Sequence, residues 1–360
     1  MTAEQARRAA ALGLSAATLV LGGCSNLGYY WQSATGHLRI MGAARTVDDW
    51  LADHEAPEKL KARLALSQRI RAFAIRELHL PDNPSYSRYA DLHRQAVVWN
   101  VVAAPPYSLE LKKSCFPVTG CVGYRGYFDE HDARAEAARL AAENLEVNVY
   151  PVPAYSTLGW MNWAGGDPLL NTFINYPEGE LARTIFHELA HQVVYAKDDT
   201  MFNESFATAV ERIGGAMWLK THASDPARLE YEQYNGRRNQ FRALTQTTRE
   251  RLKDIYEQTS GEERDVLKQR TLREFREEYA RLRSLWPGDP ARYRLYDRWV
   301  AEANNAAFGA QAAYDDLVPG FEALFAREGR DFQRFYDAAK RLAALPKAQR
   351  HERLKEMAGA

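Results

Sequence analysis

His187 and His191 stand four residues apart in the run Ile185-Phe186-His187-Glu188-Leu189-Ala190-His191-Gln192-Val193-Val194, with a carboxylate directly after the first. Residues at i and i+4 share one face of a helix, so two imidazoles at this spacing can converge on a single ion. Zinc accepts neutral imidazole nitrogens at about 2.0–2.1 Å and suits such a pair. With 9 histidines in 360 residues, the five-residue pattern arises by chance in roughly one chain in a hundred, so its surroundings must decide. Ile185, Phe186, Leu189, Ala190, Val193 and Val194 make the helix apolar enough to be buried. Two satisfied histidines on an amphipathic helix would be the plain alternative. Burying them beside a glutamate is costly unless something such as a metal organises the group. Glu188 then projects close to the ion without having to bind it. From there it can take a proton from water that the ion has acidified, and hand it to a leaving amine.

A catalytic zinc needs a third protein ligand and one open position. Asn203-Glu204-Ser205-Phe206-Ala207-Thr208-Ala209-Val210-Glu211 supplies the candidate just downstream. Asn203 is a suitable N-cap, and the stretch after it runs apolar at helical spacing through Ala216, Met217 and Leu219, which predicts Glu204 in the first turn of a second helix. The polar turn Lys197-Asp198-Asp199-Thr200 lets the two helices pack antiparallel and bring Glu204 back to the histidines. Glu211, seven residues on, shares that face. It is the natural acceptor for a ligand imidazole N–H, or the third ligand in an alternative register.

The paired motifs resemble the gluzincin aminopeptidases, whose pattern is HELAHQ followed by NEGFA and a further Glu. The chain as a whole is similar to a family of bacterial lipoproteins described as aminopeptidases, most strongly from about Tyr155 to Trp218. The resemblance implies His187, His191 and Glu204 as zinc ligands, Glu188 as the catalytic acid and base, and a peptide or protein as substrate. Two departures stand out. The spacer between His191 and Glu204 is 12 residues, against about 18 in the gluzincins. Those enzymes also carry GxMEN upstream, whose Glu holds the substrate's free amine; here Gly159-Trp160-Met161-Asn162 has no Glu, leaving Asp167, Asp199 or another acid to supply the charge.

The amino terminus bears on location. Arg7 and Arg8 precede a small and apolar run from Ala9 to Leu21, too short for a stable span, which ends in Leu21-Gly22-Gly23-Cys24. That is the pattern of a bacterial lipoprotein signal, and the resemblance implies a lipid on Cys24 as the first mature residue. Ser25 lacks the Asp that usually retains lipoproteins in the inner membrane, so the expectation is an envelope protein, lipid-anchored to the outer membrane and facing the periplasm. Of 3 Cys, this leaves Cys115 and Cys121 to pair as a disulfide in an oxidising compartment, around a turn containing Pro117 and Gly120. No His lies in that loop to make it a metal site.

At zero formal net charge nothing is basic enough to suggest a nucleic-acid partner. The expected fold class is α+β, mainly α: a zincin-like core with a small β-sheet and a C-terminal helical bundle. Residues 1–23 read as signal peptide, 24–34 as tether, 35–224 as the zincin-like catalytic region, and 225–360 as a helical region packing on it. Helical periodicity runs from about Leu38 to Leu51 and from Glu58 to Leu78, and Asp129 caps a helix to about Glu143. Strand-like runs lie at Gln95–Val102, Gly123–Phe128 and Glu146–Val152. Long helices are expected at about Pro226–Ser260, Gly261–Trp286, Arg292–Leu317 and Arg330–Leu345. Asn304-Asn305-Ala306, Tyr314 and Tyr124-Arg125-Gly126-Tyr127 are candidates to aim polar groups at the site, and a Tyr or His is expected to stabilise the oxyanion. The leading reading is a zinc aminopeptidase. A zinc endopeptidase of envelope proteins, or a non-catalytic envelope lipoprotein with a structural zinc, remains open.

Overall fold

The computed structural model describes residues 28–116, 120–312 and 316–359. Cys24 and the expected signal peptide, residues 117–119 of the cysteine loop, and Tyr314 lie outside the described residues. The fold is α+β and mainly α, 62% helical with a small sheet of few strands. Among the described residues no helix is long and apolar enough to cross a membrane.

Helix α1 covers 28–43 and takes in residues 28–34 of the stretch expected as a tether. The single helix expected at about Leu38–Leu51 is divided at Ala44. Arg45–Thr46 (β1) pairs antiparallel with Arg88–Ala90 (β2), and Thr46 Oγ1 then caps Val47–Ala52 (α2) by accepting from Asp49 N at 3.1 Å. Glu58–Arg76 (α3) leads back to β2, which also pairs in parallel with Leu169–Leu170 (β8).

The main sheet is antiparallel, with Val98–Ala104 (β3) between Arg125–Tyr127 (β6) and Glu146–Val152 (β7). Its register runs from Val98 opposite Val152 to Ala104 opposite Glu146. Asp129 Oδ1 accepts from His131 N at 2.8 Å and starts Glu130–Ala141 (α4), which packs on Val101, Ala103 and Tyr127. Ser114–Phe116 (β4) and Gly120–Val122 (β5) form a separate hairpin. Cys115 and Cys121 sit opposite one another in its register, and a disulfide joins them.

The chain then becomes helical: Glu178–Ala190 (α5), Thr200–Thr221 (α6), Asp225–Gln258 (α7), Gly261–Ser284 (α8), Arg294–Ala301 (α9), Asn305–Ala312 (α10), Val318–Arg327 (α11), Phe332–Ala343 (α12) and Lys347–Ala358 (α13). The helix expected over Arg292–Leu317 is thus in pieces. Asn304 breaks it, since its Oδ1 accepts from Ala307 N at 3.1 Å and caps a new helix, while its Nδ2 donates to Val147 O at 2.9 Å and holds that helix against β7. The principal core joins α3, α5, α6, α11 and α12 through Phe73, Ile185, Phe186, Phe206, Phe321 and Phe335, all at most 2% exposed. A second core of Phe241, Phe275, Tyr279, Trp286 and Phe308 holds α7 to α10 together.

Candidate metal centre

Leu181, Ala182, Ile185, Phe186, Leu189 and Ala190 lie along one side of α5 and are almost wholly buried. Burial at this spacing fixes the helix's rotation, and the opposite choice would put these side chains in water. The same rotation turns His187 and His191 together. His191 is the C-cap of α5 and keeps the helical geometry by donating its N–H to His187 O at 3.3 Å. The α5–α6 packing is antiparallel, as Glu178 bonds Trp218 Nε1 at 3.0 Å near one end and His191 meets Glu204 at the other. Gly215 permits the close approach. A Cβ there would lie 2.6 Å from Arg183 Cγ.

The second helix begins earlier than its sequence suggests. Asp199, not Asn203, is its N-cap, accepting from Phe202 N at 3.3 Å. Asn203 instead braces the turn before it. Its Oδ1 accepts from Ala196 N at 2.7 Å and its Nδ2 donates to Ala196 O at 2.9 Å. Glu204 therefore falls in the second turn of α6, one turn later than expected. Asp198, at φ 65°, turns the short connection tightly enough to return it.

His187 Nε2 and His191 Nε2 face each other at 3.2 Å. Glu204 Oε2 lies 3.3 Å from the first and 3.6 Å from the second. Bonds of about 2.0–2.1 Å in a tetrahedron put neighbouring donors about 3.3–3.4 Å apart, so these three atoms already occupy the corners that a zinc ion requires. Three carboxylates, Glu188, Glu204 and Glu211, surround the two imidazoles, a balance that favours a cation. Burial opposes the charge on Glu204, but His191 and His187 outweigh it and hold the carboxyl at about 2. Among the described residues this is the group that could hold a metal ion.

Glu211 lies on the far side of His187, its Oε2 3.1 Å from Nδ1. That position suits an acceptor for the ring N–H and not a fourth donor beside the two Nε2 atoms. Buried Arg183 bonds the other oxygen of Glu211, and its Nη1 donates to Tyr231 Oη at 3.0 Å. Glu180 in turn accepts from Arg238 Nη1 at 2.7 Å. Arg183 of α5 thus links Tyr231 of α7 to Glu211 of α6 and so to the imidazole. Burial pushes Glu211 up; Arg183 and His187 overcome it and keep it at about 2. A cavity of about 570 Å³ beside this relay is lined by Arg183, Arg212, Lys220, Arg228, Tyr231 and Arg238 and by none of the three candidate donors.

Glu188 is buried near the two imidazoles. Burial raises its pKa, and the nearby imidazoles only partly offset this. Tyr86 and Asp167 are close enough for their charges to be coupled to it or to each other. Both are almost fully buried, and Tyr86 Oη and Asp167 Oδ1 have no protein partner. On the other side Tyr124, Tyr150 and Tyr195 are raised by burial and by the charge of Glu204, the last two to about 12. Tyr124 was legible as part of an aromatic run. Tyr195 follows His191 at the same four-residue spacing that separates the two histidines, a signal that could have marked it, whereas Tyr86 and Tyr150 come from separate elements and carry no spacing signal.

The remaining candidates are placed as follows. Gly159-Trp160-Met161-Asn162 forms a turn entering a 3₁₀ segment, Asn162–Ala164, and lies against Gln192, the residue after His191. Trp160 and Trp163 are 65% and 83% exposed beside it. Asp199 is bound by His351 at 2.8 Å and by Arg350, and ties α13 to the start of α6. Asn305 is drawn to Pro105 O, Pro106 O and Tyr256.

An α+β fold with an antiparallel helix hairpin that presents two imidazoles and a carboxylate defines a candidate mononuclear metal centre. Residues 28–354 match the model of a family described as "Putative aminopeptidase", and the chain belongs to that family. No curated protein and no solved structure matches it.

Proposed function

We propose that the protein is a zinc-dependent peptide hydrolase, an aminopeptidase of the bacterial envelope. The observation that carries this reading is the convergence of His187 Nε2, His191 Nε2 and Glu204 Oε2 at tetrahedral spacing, beside a buried carboxylate that is not one of the three. Three donors leave one position open, which suits catalysis more than a closed structural site. A zinc ion there would polarise the scissile carbonyl and acidify water at its open position. Glu188 takes the proton from the attacking water. Its raised pKa makes the resulting acid stable long enough to protonate the leaving amine. Glu204 and Glu211 stay ionised, and Glu211 holds the His187 ring in the tautomer whose Nε2 faces inward.

An endopeptidase is the second reading. It is favoured by Asn162, which stands where the gluzincins carry their amine-binding Glu, and by Asp199, whose carboxylate is already engaged elsewhere. Both readings share one test. Glu188→Gln should retain one zinc per chain by metal analysis and lose roughly a hundredfold or more in peptide hydrolysis. Cleavage confined to peptides with a free amino terminus supports the aminopeptidase, whereas equal cleavage of amino-terminally blocked peptides supports the endopeptidase. A Glu188→Gln protein as active as wild type would end the hydrolytic reading of this site.

A further inference from the structure

Helix α1 buries one face and leaves the other apolar. The inner face is well held. Tyr29 stacks on Phe116 at 5.2 Å, Gln32 bonds Gly126 O at 3.3 Å and accepts from Phe128 N at 3.1 Å, and Ile40 and Met41 enter the core. A solvent-facing helix side is normally polar. Here its exposed members include Tyr30, Trp31, Ala34, Leu38 and Gly42, with Arg39 as the charged one, and the half-buried Thr35 among them turns its hydroxyl back to Trp31 O at 2.8 Å. Tyr30, Trp31 and Leu38 are 41%, 71% and 62% exposed. No acidic residue occurs anywhere in 28–43.

Sequence position selects what covers this face. Residue 28 follows Cys24 by four residues, and four extended residues reach at most about 14 Å. A chain acylated at Cys24 therefore keeps the start of α1 within about 14 Å of its lipid, close to the headgroup layer. Tyr and Trp favour that layer, where an apolar ring body and a polar tip are both accommodated. The lone arginine suits anionic headgroups, and an acid-free helix meets no repulsion there. We propose that the Trp31–Leu38 face of α1 lies in the surface of the bilayer, so that the protein is held by its lipid and by this helix together. Two attachments fix orientation as well as location, which one flexible acyl tether does not. The proposal rests on the envelope reading, because the acyl group sets the distance argument.

The test uses the full-length chain carrying Leu38→Cys, and separately Leu295→Cys in exposed α9 as a control, reconstituted into phosphatidylethanolamine–phosphatidylglycerol vesicles. Cys115 and Cys121 are locked in their disulfide, and an acylated Cys24 is a thioether, so a maleimide fluorophore should add once per chain. Expected is strong quenching of the label at 38, and not at 295, by lipids brominated along their acyl chains. A label at 38 quenched no more than one at 295, on chains that remain vesicle-bound, would overturn the docking and leave the lipid anchor standing. Two labels per chain would show Cys24 free and sink the anchor. Quenching at 38 would then mean that the helix docks unaided, and its absence would sink the docking as well.

Discussion

Glu211→Gln tests whether the charged relay behind the metal centre does what its geometry implies. The substitution keeps the shape and removes the charge. In the metal-free protein, a carboxyl moved from 4.5 to about 2 contributes about 3 kcal/mol of native stability at neutral pH, at about 1.4 kcal/mol for each tenfold change. The variant also leaves buried Arg183 with Glu180, at 3.7 Å, as its remaining carboxylate and the Tyr231 hydroxyl as its hydrogen-bond partner, so the loss should approach that figure. The folded pKa lies below the unfolded one. The difference between the two proteins should therefore be full above about pH 4.5 and shrink as the pH falls toward 2. Urea unfolding of chelated wild type and variant at several pH values measures it. His187 also loses its anionic acceptor, and zinc affinity measured by chelator competition should weaken about 10–100-fold. A variant within about 0.5 kcal/mol of wild type at pH 7, with zinc affinity unchanged, would refute the relay and reduce Glu211 to a bystander.

Two further expectations concern the helices that support the centre. Gly320→Ala places a Cβ 2.2 Å from Leu354 O where α11 crosses α13, and should cost about 1–3 kcal/mol in urea unfolding; an unaffected protein would show that the two helices can separate freely. Burial opposes the Asp199 charge, but the His351 bond and Lys347 outweigh it and hold its carboxyl below the usual range. Asp199→Asn should therefore destabilise the protein at neutral pH, a deficit that fades as the pH falls through the carboxyl's lowered range and is read by thermal unfolding across that window.

The zinc-ligand candidates were legible because one local rule governs them. A helical period places His187 and His191 on one face, and a short polar connection must return the chain, whatever the rest of the fold does. Helix starts were less legible where two polar residues compete. Asp199 and Asn203 can both cap, and burial of Asn203 against Ala196 decides between them, which is a tertiary fact. Asn304 misled in the same way, since its neighbours continue a helical pattern while its side chain ends one helix and begins another. Helix α1 gave little warning. Its buried face of Tyr29, Gln32, Gly36 and Ile40 mixes polar and apolar types, and only packing against β6 and Phe128 makes that face an inside. Tyr86 and Tyr150, near Glu188 and Glu204, could not be singled out among 19 tyrosines, because one is delivered by a loop and the other by β7.

All three metal-donor candidates come from residues 187 to 204, one hairpin of two helices that also supplies Glu188, Tyr195 and Glu211, whereas other groups near them are borrowed from residues 83–86, 124, 150 and 167. The three corners are thus set by one contiguous stretch of chain and part of their surroundings by several distant ones. Exchanging a strand or the tryptophan-bearing turn would remodel those surroundings while the hairpin went on assembling the same three corners.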